Sequence, residues 1–189
     1  MKTKRLSEDV NETKFSIHPD GSMWTEGARR VLVKGKVLFV CYGNSCRSPM
    51  AEFLLREKLK KFENHIDVWS AGIGEGISGY GASDNAVDAM LEIGIDIAAH
   101  KTRQLSSDII RKSSIIFVMS EDYGNFIHGY EQGCDKTIVN LDINDPAGES
   151  LKSYRNTRDL LAQSIDELVI PHIWTFPPGE AGRMKKING

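Results

Sequence analysis

One short run stands out along the chain: Val37-Leu38-Phe39-Val40 is continuously apolar and stops at Cys41. That is the pattern of a strand buried on both faces. From Pro49 the period changes. Leu55, Leu59 and Phe62 recur at helical spacing, and proline suits a first helical turn because no partner is needed there for its missing N–H. The segment therefore reads strand, short loop, helix. Further strands are expected at Ile66–Trp69, Ile115–Met119 and Ile138–Leu141, each short and rich in branched residues. Helical patterns lie between them: Val87, Met90 and Leu91 ahead of a stop at Gly94, a shorter one near Asp108–Lys112, and one after Ser120. Leu161, Ile165 and Leu168 mark a long closing helix from about Ser153 to Val169.

Four strands alternating with helices predict an α/β fold: a single three-layer domain whose four-stranded parallel sheet is flanked by helices. Ligands of such sheets sit beyond the carboxyl ends of the strands, and Cys41 falls at one. The expected divisions are an N-terminal extension over 1–35, the domain over 36–170, and a tail over 171–189. In the extension, a Pro19-Asp20-Gly21 turn signal separates Phe15-Ser16-Ile17 from Met23-Trp24. It reads either as a small hairpin, a partner-binding arm or a mobile extension. The end of the tail, from Pro177 to Gly189, reads as disordered.

Composition narrows the function. With 189 residues the chain has material for one sizeable core. Its 24 basic and 26 acidic residues give a formal charge of -2, which offers no whole-chain attraction for nucleic acid or anionic membrane. No apolar run approaches the roughly 20 residues that span a bilayer, and Met1 to Lys14 lacks the core of a secretory signal. Three cysteines, Cys41, Cys46 and Cys134, are too few and odd for a disulfide scaffold and suit a reducing, cytoplasmic setting. Without an export signal, Asn11-Glu12-Thr13 reads as a chance glycosylation match. His18, His65, His128 and His172 have no ligand spacing, and no metal is expected. Gly74-Glu75-Gly76-Ile77-Ser78-Gly79 matches a dinucleotide fingerprint letter for letter, but the next helix starts only near Ser83 or Asp84. That is too late for the third glycine to pack a first turn, so the segment reads as a rim loop.

The chemistry concentrates in Cys41-Tyr42-Gly43-Asn44-Ser45-Cys46-Arg47-Ser48, between the buried strand and a helix N-terminus. A tight loop there turns its backbone N–H groups inward as a nest for a tetrahedral anion, and the helix dipole adds positive potential. Gly43 and Asn44 tolerate the backbone angles of such a curl. Arg47 would grip two phosphate oxygens, and Cys41 would lie beneath the phosphorus as a thiolate favoured by the same donors. Ser48 is placed either to donate to that sulfur, to cap the helix ahead of Pro49, or both. A displaced oxygen needs a proton from the opposite side. Asp145, in Asp145-Pro146-Ala147-Gly148, and Asp142 are the candidates, and Asp145 is preferred because its turn can reach the same end of the sheet.

The run from Val37 to Glu52 resembles the low-molecular-weight protein tyrosine phosphatases and their arsenate-reductase relatives. The likeness continues through Ser70-Ala71-Gly72, Gly94-Ile95-Asp96, His100, Arg103-Gln104-Leu105, Val118-Met119, Asp145-Pro146, Tyr154 and Thr157-Arg158, over about 36–169. The resemblance implies that Cys41 forms a phosphocysteine intermediate, that Arg47 clamps phosphate, and that Asp145 protonates the leaving group and then activates water. It implies that Asn44, Ser48 and His100 hold the loop in shape, and that Cys46 can form a reversible disulfide with Cys41. It implies no metal and no organic cofactor. Phosphate, sulfate or vanadate is expected in the loop, and a phosphorylated protein as partner.

Three departures bear on substrate. Aromatic residues that family members carry after Asp-Pro and after Ser-Ala-Gly are replaced by Ala147-Gly148 and Ile73-Gly74-Glu75-Gly76, leaving Tyr42 or Tyr80 to line a phenol slot. Ser45 stands where tyrosine phosphatases carry a larger apolar residue, as in arginine phosphatases and arsenate reductases. Cys134 is a lone further cysteine, short of a full reductase relay, and reads as an ordinary loop thiol. The expected reaction is hydrolysis of protein phosphotyrosine, with phosphoarginine hydrolysis and arsenate reduction as alternatives.

Overall fold

The computed structural model describes residues 15–17, 23–25, 31–32, 35–60, 66–131 and 135–175. The turn at Pro19-Asp20-Gly21, Asn11, His18, His65, Cys134 and the tail beyond Thr175 lie outside the described residues. Near the N-terminus, β1 (Phe15–Ile17) and β2 (Met23–Thr25) pair antiparallel, Phe15 opposite Thr25. A two-residue strand, β3 (Val31–Leu32), follows. Leu32–Thr175 forms one compact unit by itself.

Within that unit the central strand is β4 (Gly35–Cys41), followed by α1 (Arg47–Leu59), β5 (Ile66–Gly72), α2 (Asp84–Leu91) and α3 (Ser107–Lys112). Then come β6 (Ile115–Val118), α4 (Glu121–Tyr130), β7 (Thr137–Asn140) and α5 (Leu151–Ser164). The closing helix differs from its expected course. It continues as π-helix over Ile165–Val169, then α6 (Ile170–Ile173) leads into β8 (Trp174–Thr175). The wider turn still buries Ile165, Val169 and Ile173.

The sheet is parallel with the order β5-β4-β6-β7. Chain connection reverses direction around β4, so the loops after β4 and β6 diverge and open a crevice at their carboxyl ends. Alternate residues of β4 go to opposite faces. Val37, Phe39 and Cys41 join α1, α2 and α5 in one core, while Leu38 and Val40 join α3 and α4 in the other. Helices therefore cover both faces, which is why Leu38, Phe39 and Val40 are all fully buried.

Helix α1 begins at Arg47, two residues before the proline that marks it in sequence. Pro49 sits in the first turn, where its ring is tolerated, and Cys46 rather than Ser48 is the N-cap residue. That frees the Ser48 hydroxyl for the loop. The Gly74–Gly79 stretch is irregular chain that precedes α2, tied by Gly74 N to the Tyr42 carbonyl and by Gly79 N to the Thr102 carbonyl.

Candidate active site

At the carboxyl end of β4 the chain curls through residues 42–46 before α1. The curl turns on Asn44, whose φ of 52° lies in the left-handed region that asparagine tolerates better than most residues. Gly43 is not in that region, so the positive angle belongs to Asn44 alone in this loop. Asn44 is fully buried and saturated with partners. Its amide N–H donates to Cys41 Sγ at 3.2 Å, and Nδ2 donates to Ser48 Oγ and Ser70 Oγ, each at 2.9 Å. Oδ1 accepts from Arg103 N at 2.8 Å, and the carbonyl oxygen lies 2.9 Å from His100 Nε2, which must carry the proton.

Behind this sits a second row of contacts that the sequence reading did not name as site residues. Ser70 Oγ donates to Glu52, which is 4% exposed and also pairs with Arg56 at 2.6 Å. Arg103 Nη1 donates to the Ser70 carbonyl at 3.0 Å, and its guanidinium lies over the Trp69 ring at 4.8 Å. Ser70 and Arg103 were visible only as parts of matched segments. Gly72 closes the wall: a Cβ there would stand 2.9 Å from Asn44 N and well inside contact of the Tyr42 carbonyl oxygen.

Cys41 is 2% exposed and its Sγ lies 3.0 Å from Ser48 Oγ. Burial pushes this thiol up, against the Ser48 hydroxyl, the N–H groups of Ser48 and Asn44, and Arg47, all of which favour the thiolate. The donors expected from the sequence to favour the thiolate are present, and burial opposes them. Burial dominates in this conformation, and part of Arg47's charge is spent on a nearer carboxylate.

That carboxylate is Asp145. Arg47 is 3% exposed; Nη2 pairs with Asp145 and donates to the Tyr123 hydroxyl at 3.2 Å, while Nη1 donates to the Ile143 carbonyl at 3.0 Å. Among the described residues Nε–H has no partner, a buried donor pointing to a missing acceptor. Asp145 Oδ1 accepts from Ala147 N at 3.1 Å, fixing the turn. Asp142 is exposed, its amide tied to Asn140 Oδ1, and touches none of these groups.

Cys46 lies on the other wall, with Ser83 Oγ at 3.2 Å, Tyr154 hydroxyl at 3.3 Å and Ser45 Oγ at 3.6 Å from its Sγ. Cys41 and Cys46 are both free thiols. Burial and the neighbouring thiol push the Tyr154 phenol up to about 12. Tyr42 and Tyr80 are exposed, and the Tyr42 ring edge stands beside Gly74.

Cys41 at the end of β4, Arg47 at the following helix start and Asp145 paired with it are thus brought together at the carboxyl end of the sheet. The chain belongs to the low molecular weight phosphotyrosine protein phosphatase family, which it matches over residues 36–173. It is 34% identical over 139 residues to a probable low molecular weight protein-tyrosine-phosphatase, EpsP, of Ralstonia nicotianae, covering 70% of this chain and 92% of that one. It is 32% identical over 139 residues to arsenate reductase 2 of Staphylococcus saprophyticus, covering 71% and 95%. Among solved structures, YwlE arginine phosphatase from Geobacillus stearothermophilus superposes with a TM-score of 0.66 at 32% identity, covering 73% of this chain and 92% of that one. Among the described residues, no helix is long and apolar enough to cross a membrane.

Proposed function

We propose that residues 36–170 form a protein phosphatase that hydrolyses phosphotyrosine through a phosphocysteine intermediate. The observation that carries this reading is Arg47: buried, ion-paired to Asp145 and, among the described residues, left with an unpartnered Nε–H at the end of the loop that begins at Cys41. A tetrahedral dianion supplies the missing acceptor and takes the guanidinium from the carboxylate. Phosphate, sulfate and vanadate fit the same donors.

Cys41 thiolate attacks phosphorus while the P–O bond to the tyrosyl oxygen breaks, and Asp145 gives that oxygen its proton. Water then attacks the phosphocysteine, Asp145 takes its proton, and the S–P bond breaks to release inorganic phosphate and the thiolate. Asn44, Ser48 and His100 keep the loop curled, while Tyr42, Gly43, Ser45 and Cys46 complete the cradle. The exposed Tyr42 ring beside Gly74 offers a face to a phenol ring. The two free thiols suit a reducing compartment, the cytoplasm.

One observation favours a second substrate. Ser45 Oγ is half-buried at the rim, 3.6 Å from Cys46 Sγ, where its small hydroxyl suits a polar guanidino leaving group. Side-by-side kcat/KM on phosphotyrosyl and phosphoarginyl peptides, with a thiol-coupled arsenate assay, decides. A preference for phosphotyrosine supports the leading reading; faster turnover of phosphoarginine or arsenate replaces it.

A further inference from the structure

A guanidinium is planar, and its Nε and Nη2 hydrogens share the edge that grips two oxygens of an anion side-on. In Arg47 that edge is half open. Nε–H has no partner among the described residues, and one Nη2 hydrogen is held by Asp145, whose carboxylate stands where a substrate oxygen would bind. Asp145 is the partner with a second task, and its side chain is 44% exposed.

Two partners remain when Asp145 leaves. One is the Ile143 carbonyl, main chain on the loop after β7, which holds Nη1 at 3.0 Å. The other is Tyr123, in the first turn of α4 just past the end of β6. Its hydroxyl accepts from Nη2 at 3.2 Å, and its ring lies against the guanidinium, with the centroid 5.6 Å from Cζ. Tyr123 is packed against both cores, which fixes its ring beside the guanidinium.

We propose that Tyr123 is a positioning residue that keeps the Nε/Nη2 edge of Arg47 aimed at the bound anion while Asp145 exchanges from the guanidinium to the leaving oxygen. The proposal rests on the reading of the site as a cysteine phosphatase. Without the hydroxyl, the Ile143 carbonyl alone fixes the guanidinium, and the plane is free to turn with Asp145. The loss falls on anion binding more than on P–O cleavage, because sulfur and acid are untouched.

The test uses Tyr123→Phe, which keeps the ring, with Tyr130→Phe, exposed on the same helix, as control. Binding of inorganic phosphate by calorimetry is measured beside KM and kcat for an aryl phosphate. The phosphate dissociation constant and KM should rise together by about fivefold, with a smaller fall in kcat. The Tm should stay near that of the control. In an Asp145→Asn background the same factor in phosphate binding should persist, since the hydroxyl acts on Arg47 and not through the acid. Phosphate affinity unchanged by Tyr123→Phe, or a loss confined to kcat, overturns the proposal. A wild-type protein that binds phosphate but shows no Cys41-dependent turnover instead strikes the underlying reading.

Discussion

The ring nitrogen Nε2 of His100 lies 2.9 Å from the carbonyl oxygen of Asn44, across 56 residues of chain. This bond ties the segment after α2 to the loop after β4 and turns the loop's shape into a property of the whole βα arrangement. Burial holds the His100 imidazole below its usual 6.5, outweighing the Asn44 carbonyl, which pulls it up. The unfolded chain therefore binds a proton at a higher pH than the folded one. Stability from neutral His100 is fully present above about pH 6.5 and is lost as the pH falls towards the lower folded value. Urea unfolding at pH 7.5 and 5.5 should show a larger acid loss in wild type than in His100→Gln.

Asn44→Ala should be costly for two reasons. It strands Ser48, Ser70 and the Arg103 amide, and places a Cβ-bearing residue without a local hydrogen-bonding side chain at φ 52°. The expected loss is about 3 kcal/mol, read as a shift in urea midpoint at constant slope. Asn44→Gly should recover only the backbone share.

Gly72→Ala adds a methyl group into two main-chain atoms of the loop, the Tyr42 oxygen and the Asn44 nitrogen, as well as into the tip of the Ile77 side chain. Overpacking of this kind costs roughly 1–3 kcal/mol. Because the main-chain atoms it meets, which cannot swing aside as the Ile77 tip can, belong to Tyr42 and Asn44, phosphomonoesterase activity should fall more than the stability loss explains. Enzymatic assay beside thermal unfolding checks this.

Much of this architecture is legible in residue order, because burial on both faces leaves a mark: Val37 to Val40 is unbroken apolar sequence, and it is the central strand. The loop chemistry is legible too, since Cys41 and Arg47 lie within one βα unit. What escapes is contact between units. Tyr123 meets Arg47, Glu52 meets Ser70 and Tyr154 meets Cys46 only because the sheet order brings those segments together. At Ser48 the two local signals separate: its hydroxyl lies against the Cys41 sulfur, while the cap alternative falls because Ser48 is inside the helix that Cys46 caps.

Tyr154 gives a spectroscopic check on the Cys46 wall. With its phenol held up at about 12, it should give a late ionisation step in an ultraviolet titration, one that Tyr154→Phe removes. Cys46→Ala removes one of the groups that push it up and should bring that late step down.

The covalent step is tested most directly by mixing the protein with an aryl phosphate, quenching within one turnover and weighing the peptide that carries Cys41. One phosphoryl group on Cys41, more abundant in Asp145→Ala than in wild type and absent in Cys41→Ser, is the expected result. Turnover of the ester by Cys41→Ser at the wild-type rate, with no phosphoryl group on the wild-type peptide, would contradict it.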